Sequence, residues 1–224
     1  MCNEEILRQS VKKADGSTVK IYYDHYHDES PRDWDNLGTM ACSHRRYRLG
    51  DIQLKDEPFL THINNEFSIV EPMDYWLSTE EKEQVQAWIE KNLICLNLYL
   101  YDHGGITMNT SGFYCPWDSG QVGVIYVSKE KVKNEYGWYH LTKRRIRKIE
   151  QYLEGEVEVY DQYLRGDVYR YIIEKPDTCE SCEHTEMEII DSLAGFFGDD
   201  FKNNGLYEYA GITEAEAEEA VFEL

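Results

Sequence analysis

Residues 94–101 read ICLNLYLY, and their alternation decides the fold class. Ile94, Leu96, Leu98 and Leu100 fall on one face of an extended chain, and Cys95, Asn97, Tyr99 and Tyr101 on the other, because successive side chains of a strand point to opposite sides. DHGG then turns the chain into ITMNT, and QVGVIYVS (121–128) supplies a third strand, so the three segments form an antiparallel meander. Upstream, Ser78 stands three residues before Glu81 in a capping-box pattern, with Val85, Trp88 and Ile89 following at helical spacing, which predicts a helix over 79–92. Downstream, Ser128 caps a short helix over KEKVKNEYG. Thr142 caps a longer one in which Ile146, Ile149, Leu153, Val157, Tyr160 and Leu164 recur at spacings of three and four until Gly166. That stripe needs an apolar partner, and one face of the meander supplies it.

Working outward, TVKIYYDHY (18–26) reads as a strand, while DVYRYIIE (167–174) and TEMEIIDS (185–192) bracket PDTCESCEH as a hairpin. In GITEAEAEEAVFEL, Thr213 and Glu216 repeat the capping box and predict a short acidic helix. HDESPRDWDNLGTMACSHRRYRLGD, polar and punctuated by Pro31, Gly38 and Gly50, reads as a long loop with a short buried piece. The expectation is an α+β fold: an antiparallel sheet (meander plus hairpin) packed by two or three helices. One domain is expected over residues 1–200, followed by an acidic C-terminal helical extension over 201–224.

With 224 residues, 42% of them hydrophobic, the chain can bury a sizeable core. No apolar run reaches the roughly 18 to 20 residues that span a bilayer, and MCNEEILRQSVKK lacks the apolar centre of a secretion signal, so a cytoplasmic location is expected. In that compartment the six cysteines stay free or bind metal. The net charge is −20, and the last 48 residues, from Asp177, carry fourteen Asp or Glu against one Lys. Such a surface repels nucleic acid and anionic membranes and attracts basic ones.

Three constellations carry chemistry. Cys179, Cys182 and His184 have the spacing of half a zinc ribbon, which makes zinc the candidate cofactor, although the second thiolate pair is missing. His25 and His27 share one face if the strand extends through DHYHD, two metal donors short of a site. Cys115, with Asp102, His103 and Asp118, has the residue types of a nucleophilic triad, but Pro116 follows the cysteine and no helix start stands behind it. YCPWDSGQVG therefore reads first as a structured turn, with Asp118 bonding the backbone, Gly120 at positive φ and Trp117 pinning the loop to the core. It becomes a site if it converges with HRRYRLGD, where His44, Arg45, Arg46 and Arg48 gather positive charge able to bind phosphate in a fork. KRRIRK (143–148) reads as a solvated helix start.

The segments PRDWDNLGTMACSHRRYRLGD, LYLYDHGGITMNTSGFYCPWDSGQVGVIYVSKEKV, EVEVYDQYLRGDVYRYIIE and GFFGDD together resemble a widespread, functionally uncharacterised group of small proteins encoded by bacteriophages and other mobile elements. The resemblance covers most of 31–200 and implies a setting without implying an activity; the last twenty residues depart from it as an acidic addition. The expected function is that of an accessory binding protein, not an enzyme: an acidic inhibitor of a host nucleic-acid-targeting defence system, of anti-restriction or anti-CRISPR type, with partial DNA mimicry. Its partner would be the basic surface of a host nuclease or other nucleic-acid-binding protein, with no direct contact to nucleic acid or membrane. The carboxylates expected to engage it are Glu183, Glu186, Glu188 and Asp191 of the hairpin, Asp199 and Asp200, and Glu214, Glu216, Glu218 and Glu219 of the final helix. The alternative is a nucleotide or small phosphorylated ligand in a pocket between the 24–48 and 102–121 loops. There Arg45, Arg46 or Arg48 would clamp phosphate, Trp34 or Trp117 would stack a base, and His44 or His103, near Asp118, would move protons.

Overall fold

The computed structural model describes residues 7–54, 58–72, 76–178 and 184–222. The fold is α+β, and the chain divides into a central unit, 30–161, and a terminal unit that joins 1–29 to 162–224.

The central unit is built on a five-stranded sheet of order β4-β3-β7-β5-β6. The three strands expected as a meander are present and antiparallel, but not in meander order: β5 (Leu93–Asp102) pairs with both β6 (Ile106–Asn109) and β7 (Ser119–Ser128), so β6 lies at the sheet edge and the chain passes β5 to reach β7. The long polar loop contributes more than a buried piece. After a 3-10 turn at Pro31–Asp33, β3 (Thr39–Cys42) pairs with β7, and β4 (Ile52–Gln53) adds to β3 in parallel. Alternation along β7 feeds two layers. Val124 and Tyr126 join Ala41 and Leu93 beneath α1 (Phe59–Phe67) and α2 (Thr79–Asn92), with Ile63, Val85 and Ile89 completing that cluster. Ile125 faces the other way. A Cβ placed on Gly38 would meet Leu153 Cδ2 at 2.5 Å and Ile125 Cγ1 at 2.8 Å, so the two side chains converge over that glycine.

Leu153 belongs to α4 (Lys143–Arg165), whose Ile149, Leu153, Val157 and Tyr160 are buried as the stripe requires. Its C-terminal half is tied across the sheet, with Tyr160 Oη accepting from Gly50 N at 2.9 Å and Asp161 Oδ1 accepting from Met108 N at 2.6 Å. Both predicted caps near α2 and α3 (Lys129–Tyr136) form, Ser78 with Glu81 as a full box and Ser128 on Lys131 N.

The terminal unit is a second five-stranded sheet, β10-β1-β2-β8-β9, antiparallel throughout. Its strands are β1 (Leu7–Lys12), β2 (Thr18–Tyr23), β8 (Val168–Thr178), β9 (Thr185–Phe197) and β10 (Val221–Phe222). Val11, Val19, Ile21, Tyr171, Ile173 and Phe196 make one apolar face. Phe201, Leu206, Ala210 and Ile212, from the segment holding α5 (Leu206–Tyr209) and α6 (Glu214–Glu218), cover it. The sequence-based boundary at 200/201 thus falls inside a packed unit, and helix occupies only the four residues of α5 and the five of α6 in the acidic segment before β10. β2 ends at Tyr23, so Asp24 to Asp28 turn instead of continuing a strand.

Candidate functional site

The two loops of the central unit that were expected to form a pocket do meet, through polar side chains. Arg46 pairs with Asp102 Oδ2, and Tyr47 Oη donates to Asp102 Oδ1 at 3.2 Å. His44 stacks on Tyr47 at 4.8 Å between centroids, and its Nδ1 accepts from the backbone N–H groups of Arg46 and Tyr47. Desolvation lowers the His44 pKa below its ordinary value, with the Arg46 and Arg45 charges acting the same way and Asp102 opposing them.

The neighbouring turn departs from its reading. Trp117 is 93% exposed and does not pin the loop; the positive φ falls on Gly112 and not on Gly120, which is already in β7 opposite Leu100. Asp118 bonds side chains, with Oδ2 lying 3.6 Å from Cys115 Sγ and 3.4 Å from His103 Nδ1. The carboxylate therefore stands where a cysteine nucleophile would need the imidazole, so the three residues have the types of a triad in the wrong order. Arg45, Arg48 and His103 are exposed, and Trp34 lies elsewhere, beside α4. The junction is a polar surface in which Asp102 already holds Nη2 of the exposed Arg46 guanidinium.

A second polar cluster sits between α1 and β7. Tyr126 Oη donates to Glu66 Oε2 at 2.5 Å and lies 3.1 Å from His62 Nε2. Burial, with the Glu66 bond adding to it, raises the Tyr126 pKa strongly, which keeps the hydroxyl protonated and makes the cluster a pin for α1 rather than a proton donor.

In the terminal unit Cys179, Cys182 and Glu183 lie outside the described residues, and so does the test of the zinc knuckle. His184 is described, exposed and 3.3 Å from Glu186. Among the described residues no group of three His, Cys, Asp or Glu side chains could hold a metal. His27 lies 3.4 Å from Asp24 and edge-on to Phe197, while His25 stacks on Tyr23.

The acids expected to engage a partner divide into two groups. Several are used within the chain: Glu216 closes the α6 capping box and accepts from Ala14 N, Glu214 pairs with Lys202, and Asp200 bonds Asn203. Asp191 accepts from Tyr171 Oη at 3.0 Å while remaining exposed. Glu186, Glu188, Asp199, Glu218 and Glu219 are exposed. They do not form one row, because β9 and β10 are opposite edges of the sheet, and four strand spacings of about 4.8 Å separate them.

What the charge count did not signal is the company those acids keep. Among the described residues β9 is an edge strand, with ten consecutive exposed residues, Thr185 to Ala194. Met187, Ile189, Ile190 and Leu193 are among its exposed side chains, Ile189 at 58% and Ile190 at 52%. The hydrophobic residues of TEMEIIDS were the available signal, since the hairpin reading supplied nothing to bury them.

No helix among the described residues is long and apolar enough to cross a membrane. No family model, curated protein or solved structure matches the chain.

Proposed function

We propose that the chain is a binding protein that captures a basic macromolecular partner along the β9 edge. The observation that carries this reading is the exposed edge itself, on which Met187, Ile189, Ile190 and Leu193 alternate with Glu186, Glu188 and Asp191. A long edge strand offers a row of backbone donors and acceptors to any extended segment, and folded chains ordinarily blunt such an edge. Here the carboxylates favour a partner rich in Lys and Arg, while the apolar side chains give it area to bury.

The kind of partner proposed rests on the mobile-element resemblance. Proteins that hold DNA or RNA carry basic clefts, and a host restriction or RNA-guided nuclease is the partner proposed. The mode of action is inhibition, with carboxylates meeting the lysines and arginines that otherwise meet phosphates. DNA mimicry is assigned to the hairpin, because Glu214 and Glu216 are already engaged within the chain, by Lys202 and by the Ala14 N–H. The test is to titrate the chain into cleavage assays of its host's nucleases at low and high salt. Inhibition that fades with salt and disappears in a Glu186→Lys, Glu188→Lys double variant supports the proposal. A complete lack of effect on every such nuclease refutes the inhibitor role.

A further inference from the structure

The cluster KRRIRK, read from sequence as a solvated helix start, opens onto an aromatic groove. Residues 129–148 hold eight Lys or Arg against two Glu, in a chain of net charge −20. A helix turns 100° per residue, which sorts α4 into three sectors. Ile149, Leu153, Val157 and Tyr160 form the buried sector, and Glu150, Glu154 and Glu158 lie on one flank of it. Arg144, Lys148, Gln151, Tyr152, Gly155 and Val159 fall together within about 100° of the remaining circumference. An open groove of about 480 Å³ runs along this sector, with Pro31 and Trp34 opposite Tyr152, Gly155 and Val159. A second, of about 600 Å³, lies among Arg144, Arg145, Arg147 and Lys148, and Gln151 lines both.

Three features suit this surface to a ligand. Trp34 and Tyr152 leave about half their surfaces in water, at 52% and 54% exposure, on the same groove. Gly155 sits in the interior of a 23-residue helix, where glycine is unfavourable, yet an added Cβ would meet nothing within 4 Å among the described residues. The chain's own packing does not require glycine there, and the missing side chain deepens the groove between the two rings. Two of the cations, Arg145 and Lys148, are also held against aromatic rings. The Arg145 guanidinium lies 4.7 Å from the Trp138 ring centre and donates to His140 O, and Lys148 Nζ lies 6.0 Å from the Tyr136 ring, which stacks on Trp138. Glu156, the one acid lining the groove, is already bound by Arg32 and by the N–H groups of Leu37 and Gly38.

We infer that this groove binds a free nucleotide, its base against Trp34 and Tyr152 over Gly155 and its phosphates at Arg144 and Lys148. Lys148 and Tyr152 are one helical turn apart, about 6 Å along the axis, a spacing that a sugar bridges between base and phosphate. The volume is that of a small-molecule site. Glu150, Glu154 and Glu158 beside the groove, within a strongly anionic chain, oppose a long nucleic-acid strand.

The experiment is calorimetric titration of the full chain with ATP, GTP, inorganic triphosphate and a ten-residue oligothymidylate at physiological salt. At least one nucleoside triphosphate binds, and triphosphate alone binds about tenfold or more weakly. Tyr152→Ala, Trp34→Ala and Lys148→Glu each weaken the nucleotide about tenfold, and Gly155→Leu, which fills the groove, abolishes binding. Circular dichroism melts verify that each variant is folded, and Trp34→Ala, on a turn, supplies the aromatic arm if a helix variant fails. Nucleotide binding undetected at millimolar concentration overturns the inference. So does equal affinity for triphosphate, which marks a polyanion patch, or tighter binding of the oligonucleotide, which marks a strand site.

Discussion

Arg32 grips Asp51 with both prongs of its guanidinium, Nε to Oδ1 at 2.9 Å and Nη2 to Oδ2 at 2.7 Å, while Nη1 reaches Glu156 at 3.1 Å. The guanidinium is almost wholly buried, and Asp51 Oδ2 also accepts from Met40 N at 2.8 Å. One cation thus joins the turn at 31–33, the start of β3, the 50–51 turn and α4. Arg32→Met should cost about 3 to 5 kcal/mol, because it strands two carboxylates that keep their backbone bonds but lose their counter-ion. Urea denaturation of the variant measures this. A triple variant that also neutralises Asp51 and Glu156 as Asn and Gln should recover part of the loss; a small effect of Arg32→Met alone would mean that water replaces the arginine.

Cys42 and Cys95 are held as thiols. Burial pushes each up to about 12, with Asp51 adding to the effect at Cys42 and Lys129 opposing it at Cys95. Since the thiolate is the reactive form, iodoacetamide at about pH 8 should leave both unmodified in the native protein and label them in denaturant. Mass spectrometry of the labelled peptides reads the outcome. Rapid native labelling of Cys42 would show that β3 and β7 separate on the labelling timescale.

Truncation after residue 200 should unfold the terminal unit instead of trimming a tail. It removes Phe201, Leu206 and Ile212, each worth about 1.5 to 3 kcal/mol of burial, from the cluster over Val11, Val19 and Ile21. It also removes β10 from the edge of β1. The total is comparable with the whole stability of an ordinary domain. Hydrogen exchange at the amides of Val11, Val19 and Ile21 should lose its protection in the truncated chain. Retained protection would show that the segment only decorates a sheet stable without it.

What could be read in advance follows from the range of the interactions. α2, α3, α4 and β5 were legible because caps and periodicity act within a few residues: Ser78 with Glu81, Ser128 with Lys131, and the stripe through Ile149 and Leu153. β1 was not, because LRQSVK has little pattern and its buried Gln9 is satisfied by Tyr207, 198 positions away. The two-unit division was hidden for the same reason, since it depends on β2 pairing with β8 across the whole central unit. At the sites, the condition read from sequence was that the 114–123 turn converge with HRRYRLGD; the partner that Arg46 and Tyr47 take is instead Asp102, at the end of β5. The groove was not foreseen, because Trp34 and Tyr152 are joined only by the fold, and the arginines beside it read as solvated until α4 is given a neighbour.

His44 supplies a pH dependence with a definite sign. Its pKa in the folded state lies below the ordinary 6.5, from desolvation first and then from Arg46 and Arg45, against the pull of Asp102. The structure adds a reason: Nδ1 accepts from Arg46 N at 3.3 Å and Tyr47 N at 3.1 Å, and a proton on that nitrogen ends both bonds. The unfolded chain therefore binds the proton more readily than the folded one. The stabilisation is complete above about pH 6.5 and is lost as pH falls through that value toward the lower folded one. His44→Asn places an amide oxygen where Nδ1 stands and cannot titrate. The urea midpoint of the wild type should accordingly fall more steeply between about pH 7 and pH 5 than that of the variant, with the other histidines common to both proteins. Parallel slopes would mean that the 44–47 turn survives protonation, with the imidazole swinging out to solvent and leaving Arg46 to Asp102 alone.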